Sequence, residues 1–181
     1  MKVRDVVYGA VLTALAILIP IYFGFLRVYI PPFSATMASH VPCMLAMFVS
    51  PVVAAVVGLG STIGFLVSSL PPVIAARAFI HVIFGVVGAY LYRAGMRPVG
   101  VLSAALPIHA LGESLVVVPF GFRFFVPGEP WYKWPALFVG VGTIPHHIVD
   151  SLITMAILAL LWAGRLLPRQ AGGAARRRAA A

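Results

Sequence analysis

Three pairs of ionisable side chains stand four residues apart inside stretches that are otherwise apolar. They are Arg77 and His81, His109 and Glu113, and His146 and Asp150. Residues four apart lie on the same face of a helix, so each pair predicts a polar stripe on an apolar helix. Ionisable groups inside a membrane are costly and usually face a bundle interior or a wet cavity. The spacing therefore predicts three polar stripes that meet inside the protein.

The sequence leaves the roles of several of these polar residues open. Arg77 either binds an anionic ligand or neutralises Glu113 or Asp150. His81 and His109 can each hydrogen-bond between helices, which favours a packing role, and His81 also stands among the candidate ligand contacts.

Two further histidines extend this set. His147, His146 and Asp150 place three polar side chains in one turn, which is hard to explain by packing and favours ligand binding. One of the two consecutive histidines should face away from the pocket. His40 is a candidate ligand contact as well, although its place beside Ser39 and Pro42 also suits a helix cap.

The composition indicates that these helices lie in a membrane. Hydrophobic residues make up 62% of the chain and charged residues 9%, and the mean hydropathy is +1.06. Soluble domains of this length use far fewer apolar residues. The first apolar segment lacks a small-residue cleavage site, so we interpret it as a membrane helix and not as a removable signal. The single Cys43 allows no disulfide within one chain.

Prolines, glycines and charges divide the chain into six predicted transmembrane helices, an all-α bundle. The predicted segments are about residues 6–23, 39–50, 51–70, 73–92, 100–120 and 136–166. The second is short, and a re-entrant hairpin is the alternative for it. We expect one transmembrane domain over residues 1–168 and a flexible basic tail over residues 169–181.

Positive charge is unequally divided between the two ends of these helices. One end carries Lys2, Arg4, Arg93, Arg97, Arg165, Arg169 and Arg176 to Arg178, and the other carries Arg27, Arg77, Arg123 and Lys133. Cytoplasmic loops are enriched in Lys and Arg, so we expect a multi-pass protein of the cytoplasmic membrane with both termini in the cytoplasm. The basic tail suits anionic lipid, and no nucleic-acid motif accompanies it.

With that orientation, the polar stripes converge in the outer half of the membrane. Two loops reach the same side, residues 24–38 with a double proline and residues 121–135 with many aromatic side chains. We expect aromatic side chains of these loops to cover the pocket, namely Tyr29, Phe33, Trp131, Tyr132 or Trp134. Aromatic walls with few polar anchors are typical of a small-ligand site.

Small residues on the first helix suggest a second function. Gly9, Ala10, Thr13 and Ala14 recur at three- and four-residue spacing, which permits close helix approach. The chain has no phosphate-binding glycine-lysine motif, so energy for uphill transport would come from a partner. This face either docks that partner or packs within the bundle.

Several motifs together resemble the S-components of energy-coupling factor transporters, and most of all the niacin-type subunit. The motifs are six short spans, Ala10 and Ala14 as an AxxxA, Ala38-Ser39-His40-Val41-Pro42, Ala46-Met47-Phe48-Val49-Ser50-Pro51, Arg77-Ala78-Phe79-Ile80-His81 and Pro145-His146-His147-Ile148-Val149-Asp150. The nickel and cobalt members of this family resemble one another in a histidine directly after the initial Met. This chain has Lys2 there, so a metal substrate is disfavoured.

The resemblance implies a membrane-embedded subunit that captures a vitamin from outside, without a cofactor or catalysis. It also implies association with a transmembrane coupling protein and two ATPases, with Ala10 and Ala14 at the coupling contact. For nicotinic acid, Arg77 would pair with the carboxylate, a histidine or hydroxyl would meet the ring nitrogen, and aromatic loops would stack on the ring.

Two other function classes remain open from the residues. The first is an intramembrane metal-dependent hydrolase in which His146, His147 and Asp150, with His109 or Glu113, bind a metal that activates water. The chain has no HExxH helix and no serine-histidine nucleophile signature, which counts against it. The second is a stand-alone facilitator, which nothing in the sequence excludes.

Overall fold

The fold is a bundle of apolar helices with one small β-hairpin. A computed structural model describes residues 2–167. Within this range the helices are α1 (Val3–Tyr22), α2 (Val41–Met47), α3 (Pro51–Val67), α4 (Pro72–Ala78), α5 (Ile80–Arg93), α6 (Pro98–Val116) and α7 (Pro135–Ala163), and the strands are β1 (Arg27–Ile30) and β2 (Phe33–Thr36). Because α4 and α5 form one membrane-spanning segment, the described helices correspond to the six predicted ones. The all-α membrane fold is confirmed.

Four helical segments are long and apolar enough to cross a membrane. They are Val3–Tyr22, Pro72–Arg93, Pro98–Phe120 and Pro135–Ala163, and Pro51–Val67 is a shorter apolar helix. Four of the helices begin with proline, namely α3, α4, α6 and α7. Proline suits the first helical position because its missing N–H would have no partner there. The prolines that divide the sequence therefore mark helix starts.

The second crossing is not a continuous helix, which corrects the predicted helix over residues 39–50. Helix α2 has seven residues and covers only about 10 Å at 1.5 Å per residue. The chain before it is the buried strand β2 and a turn over residues 37–40. Irregular backbone is tolerated at membrane depth where protein surrounds it.

This composite segment of strand, turn and helix runs in the same direction as α7. The Phe33 ring packs edge-on against Phe138 with centroids 6.0 Å apart, and further along the segment Met44 Sδ accepts a hydrogen bond from Thr154 Oγ1 at 3.5 Å. From residue 138 to residue 154, a helix rises about 24 Å. The segment thus covers most of a membrane crossing beside α7.

The predicted non-helical loop after α1, residues 24–38, contains a β-hairpin over residues 27–36. Strands β1 and β2 pair antiparallel, with Arg27 opposite Thr36, and a cis Pro31–Pro32 bond lies in the turn. Arg27 donates from Nε to Thr36 Oγ1 at 2.9 Å and from a terminal nitrogen to the Pro20 carbonyl. These bonds hold the hairpin against the end of α1.

Glycines allow α1 and α3 to pack closely and in parallel. Gly60 faces Thr13, and Gly64 faces Ile17 one turn further along both helices. At the opposite end of the bundle from the hairpin, the Tyr8 hydroxyl donates to the Leu166 carbonyl at 2.6 Å. The start of α1 and the end of α7 therefore lie at the same end of the bundle. The tail over residues 169–181 lies outside the described residues.

Candidate functional site

Arg77 is the central cation of the site. It lies in the last turn of α4, and 3% of its surface is exposed. One terminal guanidinium nitrogen donates to the Pro32 carbonyl at 3.1 Å and the other to the Ser34 carbonyl at 3.2 Å. The guanidinium carbon also stands 5.6 Å from the centroid of the Phe33 ring. Arg77 thereby attaches the hairpin to the helix bundle.

Glu113 supplies the counter-charge for Arg77. Its Oε2 accepts a hydrogen bond from Arg77 at 2.7 Å and another from the Thr143 hydroxyl of α7. Its Oε1 lies 3.5 Å from Nε2 of His109. Of the two neutralising partners considered for Arg77, the structure shows Glu113. Three helices, α4, α6 and α7, meet at this carboxylate.

Asp150 organises the turn before α2. Its two carboxylate oxygens accept from the backbone N–H of Ala38 at 2.9 Å and of His40 at 3.1 Å. The same carboxylate lies 2.9 Å from Nδ1 of His40 and 3.3 Å from Nε2 of His146. Buried polar groups need such partners. Asp150 thus has a clear structural role and also orients two histidines.

All five histidines of the chain belong to one cluster. The His40 ring centroid lies 4.6 Å from that of His81, 4.4 Å from that of His109 and 4.4 Å from that of His146. His81 contacts Ser61 Oγ through Nδ1 at 2.8 Å.

His147 joins the cluster from the side of α6. Its Nδ1 lies 2.9 Å from Nδ1 of His109, and its Nε2 lies 3.0 Å from the Leu102 carbonyl. His146 and His147 therefore point in different directions, as neighbours on a helix must.

A small cavity lies between the hairpin and the helices. Its volume is about 10 Å³, and its lining consists of Ser34, Thr36, Ser39, His40, Phe65, Ile74, Arg77, Ala78, His81, Glu113 and His146. A space of this size holds about one water molecule. A ring-sized ligand therefore requires the walls to move apart.

The structure brings five of the predicted site residues to the cavity wall, namely His40, Arg77, His81, Glu113 and His146. Asp150 lies behind His40 and His146. His147 faces an apolar groove of about 250 Å³ between α6 and α7.

None of the five predicted aromatic residues is among the residues that line the cavity in the described structure. Tyr29 is 45% exposed on β1 and Trp131 is 50% exposed. The Trp134 indole donates to the Glu129 carbonyl at 2.9 Å, so the aromatic loop packs partly on itself.

Several lining residues were not among the predicted ones. Ser34, Thr36 and Ser39 come from the hairpin and the turn after it, and Phe65 comes from the end of α3. The hydroxyl groups that follow the double proline are the signal that could have indicated the first three. For Phe65 the sequence offers no signal, since one phenylalanine in an apolar helix is ordinary.

Comparison with known proteins identifies the family. The chain is 47% identical over 166 residues to the niacin transporter NiaX of Lactococcus lactis subsp. cremoris strain MG1363, covering 86% of this chain and 73% of that protein. No family model matches the chain, and no solved structure gives a significant match.

The helical bundle with a buried polar site and this identity define a membrane transport protein. The chain belongs to the niacin-type family of S-components of energy-coupling factor transporters. The predicted resemblance is thereby confirmed. Membership of a transporter family also agrees with the expectation that the chain is not an enzyme.

Proposed function

We propose that this protein captures nicotinic acid from outside the cell and delivers it as the substrate-binding subunit of an energy-coupling factor importer. The observation that carries the proposal is the cavity beside Arg77, in a chain 47% identical to a niacin transporter. A buried guanidinium is the side chain best suited to select a carboxylate.

Unused hydrogen-bonding groups at the cavity support an anionic aromatic ligand. Arg77 Nε and Ser39 Oγ are buried and have no hydrogen-bond partner in the described structure. Each stands on a residue that lines the cavity. Buried polar groups without hydrogen-bond partners are costly, so a ligand that provides the missing partners gains affinity. A carboxylate takes the guanidinium and hydroxyl donors, and a pyridine nitrogen takes a donor from an imidazole.

Opening of the hairpin is the step that admits the vitamin. The cavity of about 10 Å³ cannot hold a pyridine ring. The hairpin contributes Ser34 and Thr36 to the wall, and its hold on Arg77 consists of hydrogen bonds, which can break and re-form. In this proposal Tyr29, Trp131 and Trp134 close over the ligand after the loops rearrange.

The face of α1 that carries Ala10 and Ala14 is the docking site for the coupling protein. Both alanines are exposed, whereas Gly9 and Ala16 are buried. The small residues of α1 therefore divide into a face that packs inside the bundle and a face that remains outside. The coupling protein and two ATPases complete the importer, and both termini of this subunit face the cytoplasm.

Equilibrium binding tests the substrate. Purified protein in detergent is titrated with nicotinic acid and with nicotinamide, and quenching of tryptophan fluorescence is recorded. We expect tight binding of the acid, weaker binding of the neutral amide, and loss of acid binding in Arg77→Ala. Equal affinity for acid and amide would contradict a carboxylate role for Arg77, and no binding to a folded sample would contradict the substrate.

A further inference from the structure

Four potential metal ligands converge at the cavity, three of them on its wall. His40, His81, His109 and Glu113 are all buried, and each offers one ligand atom within 4.8 Å of the other three. They come from the turn before α2, from α5 and from α6. Imidazole nitrogens with one carboxylate oxygen form a donor set typical of Zn²⁺ and related divalent transition ions.

Two of the three imidazole nitrogens that would bind an ion have no hydrogen-bond partner in the described structure. They are His81 Nε2 and His109 Nε2, and both are buried. The distance from His109 Nε2 to Glu113 Oε1 is 3.5 Å. Two ligands of one tetrahedral Zn²⁺, each about 2.0 Å from the ion, lie about 3.3 Å apart. This pair is therefore spaced like two ligands of a single ion.

Two of the opposite ring nitrogens are held in the manner of metal-binding histidines. Such histidines use their second nitrogen to contact a carboxylate, a carbonyl or another polar group, which orients the ring. Asp150 lies 2.9 Å from Nδ1 of His40. Ser61 Oγ lies 2.8 Å from Nδ1 of His81, and His147 lies 2.9 Å from Nδ1 of His109. The His81 and His109 rings are thus oriented by hydrogen bonds, and the His40 ring lies beside the Asp150 carboxylate without forming a hydrogen bond through Nδ1.

One carboxylate oxygen of Glu113, Oε1, is available to bind an ion. Its Oε2 accepts from Arg77 and Thr143, which fixes the carboxylate while Oε1 faces His109. Thus His81, His109 and Glu113 are each oriented through one atom and leave another for the cluster.

We infer that His40, His81, His109 and Glu113 form a binding site for a divalent transition-metal ion of the Zn²⁺ class. The site differs from the metal site that the sequence suggests, which centres on His146, His147 and Asp150. The ion would also change the charge of the vitamin site, and this consequence rests on the proposed function. With neutral imidazoles, the buried cluster holds the positive Arg77 against the negative Glu113 and Asp150. A divalent ion makes this cluster net positive and so favours an anionic vitamin.

Metal binding is measured on the full chain, purified through a tag without histidine and stripped with a chelator. Equilibrium dialysis against Zn²⁺, with metal analysis of the protein, should give one equivalent per chain. In His81→Gln and in His109→Gln the affinity should fall by more than about a hundredfold, because losing even a group that only orients a ligand costs about 10- to 100-fold. Ser61→Ala should lose about tenfold.

Glu129→Gln is the control, because Glu129 pairs with Lys133 in the aromatic loop and is not one of the four proposed ligands. It should retain full affinity. His146 forms the second potential metal group with His40 and Asp150, so His146→Gln distinguishes that group from the proposed one. Loss of Zn²⁺ in His146→Gln with retention in His81→Gln would overturn the assignment, and so would the absence of bound Zn²⁺ in the wild-type protein.

Two further measurements are needed. The first distinguishes the loss of a metal ligand from misfolding of the variant, and the second distinguishes metal binding from vitamin binding. Co²⁺ in place of Zn²⁺ should give the visible absorption of a tetrahedral site, and His81→Cys, which restores a ligand, should recover binding that His81→Gln loses. Zn²⁺ binding is measured without vitamin, and nicotinic acid binding is measured with chelator and with Zn²⁺. Bound Zn²⁺ without any vitamin binding would contradict the proposed function and leave the metal site standing.

Discussion

At the scale of single residues, Arg77 combines two roles that the sequence presents as alternatives. It neutralises Glu113, and its Nε lacks a hydrogen-bond partner beside the cavity. A buried pair of this kind contributes little net stability, but removing one partner leaves an uncompensated charge. The two roles are therefore separable by changing one partner or both.

Arg77→Gln should lower the free energy of unfolding by about 3 to 5 kcal/mol, because Glu113 remains buried without its counter-charge. The double variant Arg77→Gln with Glu113→Gln should recover most of that stability, since no charge is left unpaired, but should not recover binding of nicotinic acid. Thermal unfolding in detergent and ligand titration measure the two effects. A double variant that binds the acid normally would show that Arg77 only balances charge.

At the scale of elements, close packing of α1 on α3 depends on glycine. A Cβ at Gly64 would lie 2.7 Å from Cα of Ile17 and 2.9 Å from the Ala16 carbonyl oxygen. These are backbone atoms, which cannot move away without displacing the helix. At Gly85 the nearest atom is Cβ of Ala54 at 3.6 Å, an ordinary contact.

Gly64→Ala should therefore destabilise the protein by about 1 to 3 kcal/mol through overpacking. Gly85→Ala is the matched control and should be neutral or stabilising by up to about 1 kcal/mol, since alanine is the better helix former. Melting temperatures of the purified variants measure both. Equal melting temperatures for the two variants would mean that α1 and α3 pack less closely than described.

The hairpin should control access to the cavity. Ile74 lines the cavity and is 3% exposed, and Val28 on β1 is 54% exposed. A thiol at position 74 should react slowly with a maleimide and more slowly with nicotinic acid bound, because the ligand and the closed hairpin cover it. Rates are compared for Ile74→Cys and the control Val28→Cys, which should react rapidly with or without ligand. The native Cys43 is fully buried and adds little background. If saturating nicotinic acid leaves the reaction rate at position 74 unchanged, this would argue against control of access by the hairpin.

At the scale of the whole molecule, the outward face of α1 should serve assembly and not substrate binding. Ala14→Trp places a large side chain on that exposed face, at a residue that does not line the cavity. Vitamin uptake by cells and co-purification with the coupling protein should be lost, while binding of nicotinic acid to the purified subunit persists. Ala159→Trp, at another exposed alanine on α7, should affect neither. Normal uptake by Ala14→Trp would contradict docking at this face.

Orientation in the membrane is testable in intact cells. Ala94 lies in the turn between α5 and α6, and Pro127 lies in the aromatic loop at the opposite end. Because Lys and Arg concentrate at the end that includes Ala94, this end should be cytoplasmic. A membrane-impermeant maleimide should label Pro127→Cys in intact cells and Ala94→Cys only after permeabilisation. The reverse pattern would invert the proposed topology.

The sequence by itself determined the membrane class, the number of helical segments and the set of polar residues. The lengths of the apolar segments and the positions of the prolines predict these features directly. The cost of burying a charge or of breaking a helix depends on the residues of the segment itself. Four-residue spacing likewise predicted that Arg77 and His81, His109 and Glu113, and His146 and Asp150 share helix faces. The family resemblance followed from motifs that include these same residues.

Only the tertiary structure decided which polar groups touch one another. Arg77 pairs with Glu113 and not with Asp150, and Asp150 holds the turn before α2. The second crossing became a strand, a turn and a short helix because α7 supplies hydrogen-bond partners for irregular backbone at that depth. His40, His81 and His109 converge from the turn before α2, from α5 and from α6, and the distances between them depend on how these elements pack. No spacing along the chain encodes those distances.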